Sequence, residues 1–177
     1  MVTFADVYAA PKRIVVFTGW ASAEPETGAI FFEVPLEISG IVQAGLFLKG
    51  VAFADRPDEH VSFEIALRNI GGRRREPLAR LDWRPIDGGH TNQRRKDVPQ
   101  GLGGTRINGT HLHGFDLNWF EDQARMRKGN LPIARAAESL ESFEMARDFA
   151  GKQFGIKNMD IVQRPPLEYD LFHGPNA

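Results

Sequence analysis

The chain has 177 residues, 42 % hydrophobic and 25 % charged, with a net charge of −1 and no cysteine. These values describe one globular domain with a substantial core; they exclude a disordered chain, a disulfide framework and thiolate metal sites, and they accord with a reducing compartment. Asp6 and Pro11 interrupt any apolar leader, and no stretch approaches the roughly 18 consecutive apolar residues of a membrane span, so a cytoplasmic protein without a membrane partner is expected.

The first third reads as strands. Residues 13–17 form a β-branched run, and residues 30–38 follow, with Pro35 marking an edge or a bulge. Residues 44–53 are apolar and β-prone. In residues 61–68, Val61, Phe63, Ile65 and Leu67 alternate with Ser62, Glu64, Ala66 and Arg68, the period of a half-buried strand. A turn at Asn69-Ile70-Gly71-Gly72 leads to a return strand over residues 78–84. This strand sets Ala79, Leu81 and Trp83 on one face and Arg80, Asp82 and Arg84 on the other.

Residues 85–109 hold six glycines, two prolines and the triplet Arg94-Arg95-Lys96, and they read as a long, flexible, basic loop. Residues 110–117 read as a further strand and residues 118–130 as irregular. One main helix is expected from an Asn130 cap through Pro132, Ile133, Ala137, Leu140, Phe143, Ala146 and Phe149, ended by Gly151 or Gly155. Residues 156–162 could add a last strand. No helix separates the early strands, so the expected fold is α+β. Its core would be an antiparallel, curled sheet (a meander or a partial barrel) with the C-terminal helix packed on it, in a single domain.

Charge is unevenly distributed. Residues 1–67 carry −5, residues 68–106 carry +6 and residues 107–177 carry −2. A basic cluster within a neutral protein points to a local anionic partner, because field strength follows clustering rather than total charge.

The candidate site is His90, His111 and His113. At i and i+2 on a strand, His111 and His113 share a face, with Leu112 toward the core. Pairing of their strand with residues 78–84 would bring His90, Arg80, Asp82 and Arg84 beside them. Such a set suits three chemistries. Imidazoles can act as acid and base on a phosphodiester while arginines stabilise the charge on phosphorus. Three imidazoles can bind zinc or another divalent metal with a position left open. Histidine, arginine and glycine backbone can also contact phosphate without any reaction. Arg94, Arg95, Lys96 and Arg106 are further phosphate-binding candidates, and Arg73-Arg74-Arg75 is a weaker one. His60 and His173 read as incidental, and Trp83 and Trp119 as core.

Arg80-Leu81-Asp82, Gly89-His90-Thr91-Asn92 and Gly109-Thr110-His111-Leu112-His113 together resemble the pattern of an uncharacterised bacterial and phage-associated family. There an Arg-Leu-Asp strand precedes a His-x-Asn turn and a Gly-x-His-x-His strand. The loop between Asn92 and Gly109 is longer here, and Gly114-Phe115-Asp116 replaces a more aromatic and basic continuation. The resemblance implies an accessory protein of a mobile-element or toxin–antitoxin kind. The expectation is a nucleic-acid-directed protein, with RNA favoured as partner, and most concretely a metal-independent endoribonuclease. His111 and His113 would supply acid and base, His90 would assist, Arg80 and Arg84 would hold the phosphate, and Asp82 would orient an imidazole; an antitoxin would be a natural protein partner. The alternatives are a non-enzymatic, anti-CRISPR-like counter-defence protein that docks on a nucleic-acid-bound machine, and a three-histidine metal protein.

Overall fold

The computed structural model describes residues 3–56, 58–68 and 75–166. In chain order its elements are α1 (Phe4–Ala9), β1 (Lys12–Ile14), β2 (Ala29–Ile38), β3 (Ile41–Phe53), β4 (Val61–Arg68), β5 (Arg75–Trp83), β6 (Gly89–Thr91), β7 (Arg106–Asn108), β8 (His111–His113), α2 (Phe115–Asn118), β9 (Trp119–Phe120), β10 (Arg125–Met126), β11 (Arg135–Ala136) and α3 (Phe143–Phe154). The expected α+β class is observed. Seven strands form one antiparallel sheet in the order β1-β2-β3-β4-β5-β8-β11, which does not close into a barrel. Strands β1 to β5 are a meander, and a bulge between Pro35 and Glu37 interrupts the β2–β3 register. No helix among the described residues is long and apolar enough to cross a membrane.

One face of the sheet carries the core. Phe63, Ile65, Ala79, Leu81, Trp83 and Leu112 are buried there, and α3 packs against them through Phe143, Ala146, Ala150 and Phe154. Each fully buried aromatic or aliphatic side chain contributes about 1.5–3 kcal/mol. The helix begins at the Ser142 cap, whose hydroxyl accepts from Met145 N, and ends at Gly155 in the left-handed region.

The helix therefore starts twelve residues beyond the expected Asn130 cap. Two buried asparagines override the helical periodicity of the intervening segment. Asn92 Nδ2 donates to Ala134 O and its Oδ1 accepts from Ala134 N. Asn118 does the same with Ile133 O and Ile133 N. These bonds hold residues 133–134 extended, and the next two residues, β11, pair with β8.

Other boundaries shift as well. The first strand stops at Ile14, and residues 156–162 give a bridge from Ile156 to Lys12 and a 3-10 turn at Met159–Ile161 instead of a strand. The strand expected over 110–117 shortens to β8, then turns into α2. Residues 85–109 fold back as the β6–β7 hairpin, extended by bonds from Asn92 N to Thr105 O and from Gly104 N to Asn92 O. The turn over residues 69–72, with Arg73, Arg74 and His173, lies outside the described residues.

Candidate functional site

The site is built from two rows of side chains that cross the polar face of the sheet. Strand register aligns Lys49, Glu64, Arg80 and His113 in one row. Val51, Ser62, Asp82 and His111 form the next. Cross-strand partners share a face, so the pairing of β5 with β8 sets Arg80 and Asp82 against the two imidazoles. The expected pairing is present, and so is the burial of Leu112 on the opposite face.

His90 arrives from above, on the β6–β7 hairpin. Its ring centroid lies 4.6 Å from that of His113 and 5.6 Å from that of His111, and the latter two are 5.1 Å apart. The three rings therefore converge. Gly89 makes this approach feasible: its φ is 136°, and a Cβ there would run into the Ile107 carbonyl oxygen.

Each ring is oriented by a backbone carbonyl. His90 Nε2 donates to Pro132 O at 3.1 Å, His111 Nδ1 to Gly109 O at 2.8 Å and His113 Nδ1 to Leu131 O at 2.6 Å. A carbonyl only accepts, so these nitrogens carry protons; of the opposite nitrogens, those of His111 and His113 face Asp82, and His90 Nδ1 faces the pocket side. Residues Asn130 and Leu131 adopt φ of 55° and 60°, a strained turn for side chains of this kind, just before two of these carbonyls.

The Asp82 carboxylate joins the network. Its Oδ2 is 3.3 Å from both His111 Nε2 and His113 Nε2, and it accepts from Arg80 Nε at 2.9 Å. Its Oδ1 accepts from Ser62 Oγ at 2.6 Å. The Arg80 guanidinium also donates to His113 Nε2 at 3.0 Å. An arginine has no lone pair to offer, so His113 accepts there and is neutral.

Protonation follows from these contacts. Burial alone would push the Asp82 carboxyl up, but the hydrogen bond from His111, the adjoining His113 ring and the charge of Arg80 hold it well below 3.8. Burial lowers His90 and His113 below 6.5. Burial also opposes charge on His111, yet the Asp82 carboxylate and the Gly109 carbonyl outweigh it and raise that ring. The environment thus drives His111 toward the imidazolium and His90 toward the neutral base.

A pocket of about 390 Å³ opens on this network, and its lining includes His90, His111, Asp82 and Arg80. His113 is fully buried and does not line it. Of the two rings expected to supply acid and base, His111 lines the pocket although only 3 % exposed, and His113 lies behind it; His90, expected to assist, lines the pocket too.

The remaining basic candidates diverge. Arg84 leaves β5 with φ of 46°, stacks on Trp83 and donates to Glu141 O at 2.9 Å, away from the pocket. Arg94, Arg95 and Lys96 are exposed beyond the hairpin and do not line it either; Arg95 pairs with Asp97. Arg106 is paired with Thr91, on the hairpin face opposite His90, and donates to Asp87 O. Among its charged lining residues the pocket has Lys49, Arg75 and Arg80 against Glu64, Asp82 and Asp87, so it is balanced rather than basic. Arg75 is itself ion-paired with Glu64.

Sequence reasoning missed Ser62, Lys49 and the carbonyls of Leu131 and Pro132. Of these only Ser62 and Lys49 carried a signal, through strand alternation and register. His60, read as incidental, lines the pocket rim, with Nδ1 accepting from Ile86 N at 3.3 Å.

The same three imidazoles could hold a metal ion, since one nitrogen of each lies within 4.8 Å of the others. A tetrahedral ion with bonds of about 2.0–2.1 Å wants donors about 3.3 Å apart. The rings would have to close, and Arg80 would have to give up His113 Nε2.

Comparison of the chain with protein-family models, with curated proteins and with solved structures finds no match.

Proposed function

We propose that this protein is a metal-independent ribonuclease in which His90 is the general base and His111 the general acid. The observation that carries this reading is geometric: His90 and His111 line one pocket beside a guanidinium, each is held by a backbone carbonyl, and Asp82 contacts His111. In this metal-independent reaction the nucleophile is the substrate's own ribose 2′-hydroxyl. His90 Nδ1 takes the 2′-hydroxyl proton as the 2′-oxygen bonds to phosphorus. His111 gives a proton to the departing 5′-oxygen as the P–O5′ bond breaks. The products are a 2′,3′-cyclic phosphate and a 5′-hydroxyl. Arg80 stabilises the charge on the phosphoryl oxygens, Asp82 orients the imidazolium, and His113 fills the space behind them, holding Arg80 in place.

A second reading has its own support. Three rings, each tied through one nitrogen to a carbonyl, are arranged as ligands of a divalent metal usually are. Arg80 ranks it second, because its guanidinium already occupies a donor atom the ion would need.

One experiment separates them. The purified protein is incubated with single-stranded RNA in excess EDTA, and the products are analysed for cyclic phosphate termini. Cleavage that persists in EDTA and falls by about 10²–10⁴ in His90→Ala and His111→Ala supports the acid–base reading. Cleavage that EDTA abolishes and zinc restores transfers the site to the metal reading, and no cleavage under either condition removes the ribonuclease reading.

A further inference from the structure

A second cavity, of about 380 Å³, adjoins the first and shares Arg75 and Asn130 with it. The charged side chains along it are Arg75, Arg125, Arg127 and Lys128, against Glu76 alone. Three of the four cations along it come from residues 125–128, and Arg75 comes from the cation-rich segment 68–106.

Local structure fixes this patch. The β9–β10 hairpin, closed by Ala124 in the left-handed region, presents Arg125, and Arg127 N donates to Asn118 O at 2.7 Å. Both guanidinium groups lie over the Phe120 ring, at 4.8 and 3.9 Å from its centroid. An aromatic plate of this kind holds guanidinium planes in register at little entropic cost. Arg127 is partly neutralised by Asp97 and anchored to Leu117 O. Arg125 donates to uncharged partners, Gln123 Oε1 and Met126 O, and Lys128 is exposed; among the described residues neither is paired with a carboxylate. Two cations without carboxylate partners on a common groove, in a chain of net charge −1, give that groove a local positive field suited to an anionic ligand.

We propose that this groove binds the phosphate backbone of a single nucleic-acid strand and leads it past Arg75 and Asn130 to the imidazole pocket. The inference deepens the ribonuclease reading but does not share its test. Guanidinium forks match phosphate oxygens in a bidentate way, and Phe4, Met126 and Leu131 among the lining residues give the groove an apolar side for the bases. A folded acidic protein would present carboxylates on a convex surface, which suits the groove less well.

The test measures binding, by fluorescence anisotropy, of a single-stranded oligodeoxynucleotide, which lacks the 2′-hydroxyl and so cannot be cut by internal attack. Arg125→Gln with Lys128→Gln should weaken it about tenfold near 0.1 M salt and reduce the slope of log K against log salt by about 1.4, at roughly 0.7 per lost phosphate contact. Lys128→Glu, a single change at an exposed residue, should show the same direction if the double variant folds poorly. Lys157→Gln, at an exposed cation that lines neither cavity, should bind as the unmodified protein does. An unchanged salt slope in the variants, no binding by the unmodified protein, or equal competition by poly-glutamate would each overturn the proposal. Absence of RNA cleavage with binding retained and charge-dependent would remove the catalytic reading and leave the groove standing.

Discussion

Arg80 and His113 face each other across β5 and β8, and the guanidinium donates to His113 Nε2 while its Nε donates to Asp82. One side chain thereby sets the tautomer of a buried imidazole and part of the charge on the carboxylate that raises His111.

The two readings of the site make opposite demands on this arginine. Under acid–base chemistry Arg80→Gln removes the charge facing the phosphoryl group, and kcat/KM for RNA should fall by about 10²–10³. Under the metal reading the same change frees His113 Nε2, and zinc affinity measured by calorimetry should rise. A variant that cleaves normally in EDTA sinks the role given to Arg80.

The shifts at His90 and His111 predict a bell-shaped pH profile. Activity rises as pH climbs through the lowered value of His90, below 6.5, because the base must be neutral. It falls as pH passes the raised value of His111, above 6.5, because the acid must keep its proton. His90→Ala should flatten the acidic limb of the residual rate and His111→Ala the alkaline limb. A profile without an alkaline limb in the unmodified protein removes His111 as the acid.

Asn118 supports the site from the core. It is fully buried, donates to Gly114 O and Ile133 O, and accepts from Ile133 N. Asn118→Ala leaves those backbone groups without partners, at about 1–3 kcal/mol for each unsatisfied group. Urea unfolding should register a loss of about 3 kcal/mol, and the freed segment carries the Leu131 and Pro132 carbonyls that orient His113 and His90. A loss below about 1 kcal/mol would show that the asparagine clamp does not hold this segment.

Lys12 is a buried cation far from the site. Its Nζ donates to Tyr8 O, Ala10 O and Phe154 O, stapling α1 to the end of α3. Burial pushes its ammonium from 10.5 down to about 8. Between those values the unfolded chain holds a proton that the folded chain has released, so the Lys12 contribution makes stability rise with pH across that window. Lys12→Met should lower stability at pH 7, because three carbonyls lose their donor, and should lose this pH-dependent component. Parallel urea titrations of both proteins from pH 7 to 10.5 check this, and identical pH dependence would contradict it.

Much was legible in the sequence because strand alternation is a local property. The order Val61, Phe63, Ile65 against Ser62, Glu64, and Leu81, Trp83 against Arg80, Asp82, assigns faces without knowledge of partners, and the i, i+2 spacing of His111 and His113 does the same. That is why the antiparallel sheet, the face shared by the two histidines and the placement of Arg80 and Asp82 could be read in advance.

What only the tertiary structure decided is where extended segments are held by distant side chains. Residues 130–142 have helical periodicity, yet Asn92 and Asn118, from two other parts of the chain, bond residues 133 and 134 in an extended form and deliver the carbonyls that orient two imidazoles. The same holds for charge. Composition located a basic segment at 68–106, but among its described arginines Arg84, Arg94, Arg95 and Arg106 do not line the pocket, while Arg125 and Lys128 line the cavity beside it. Period and composition are sums over neighbours in sequence; a hydrogen bond between residues 42 apart, or a groove shared by two hairpins, depends on distances that exist only once the chain has folded.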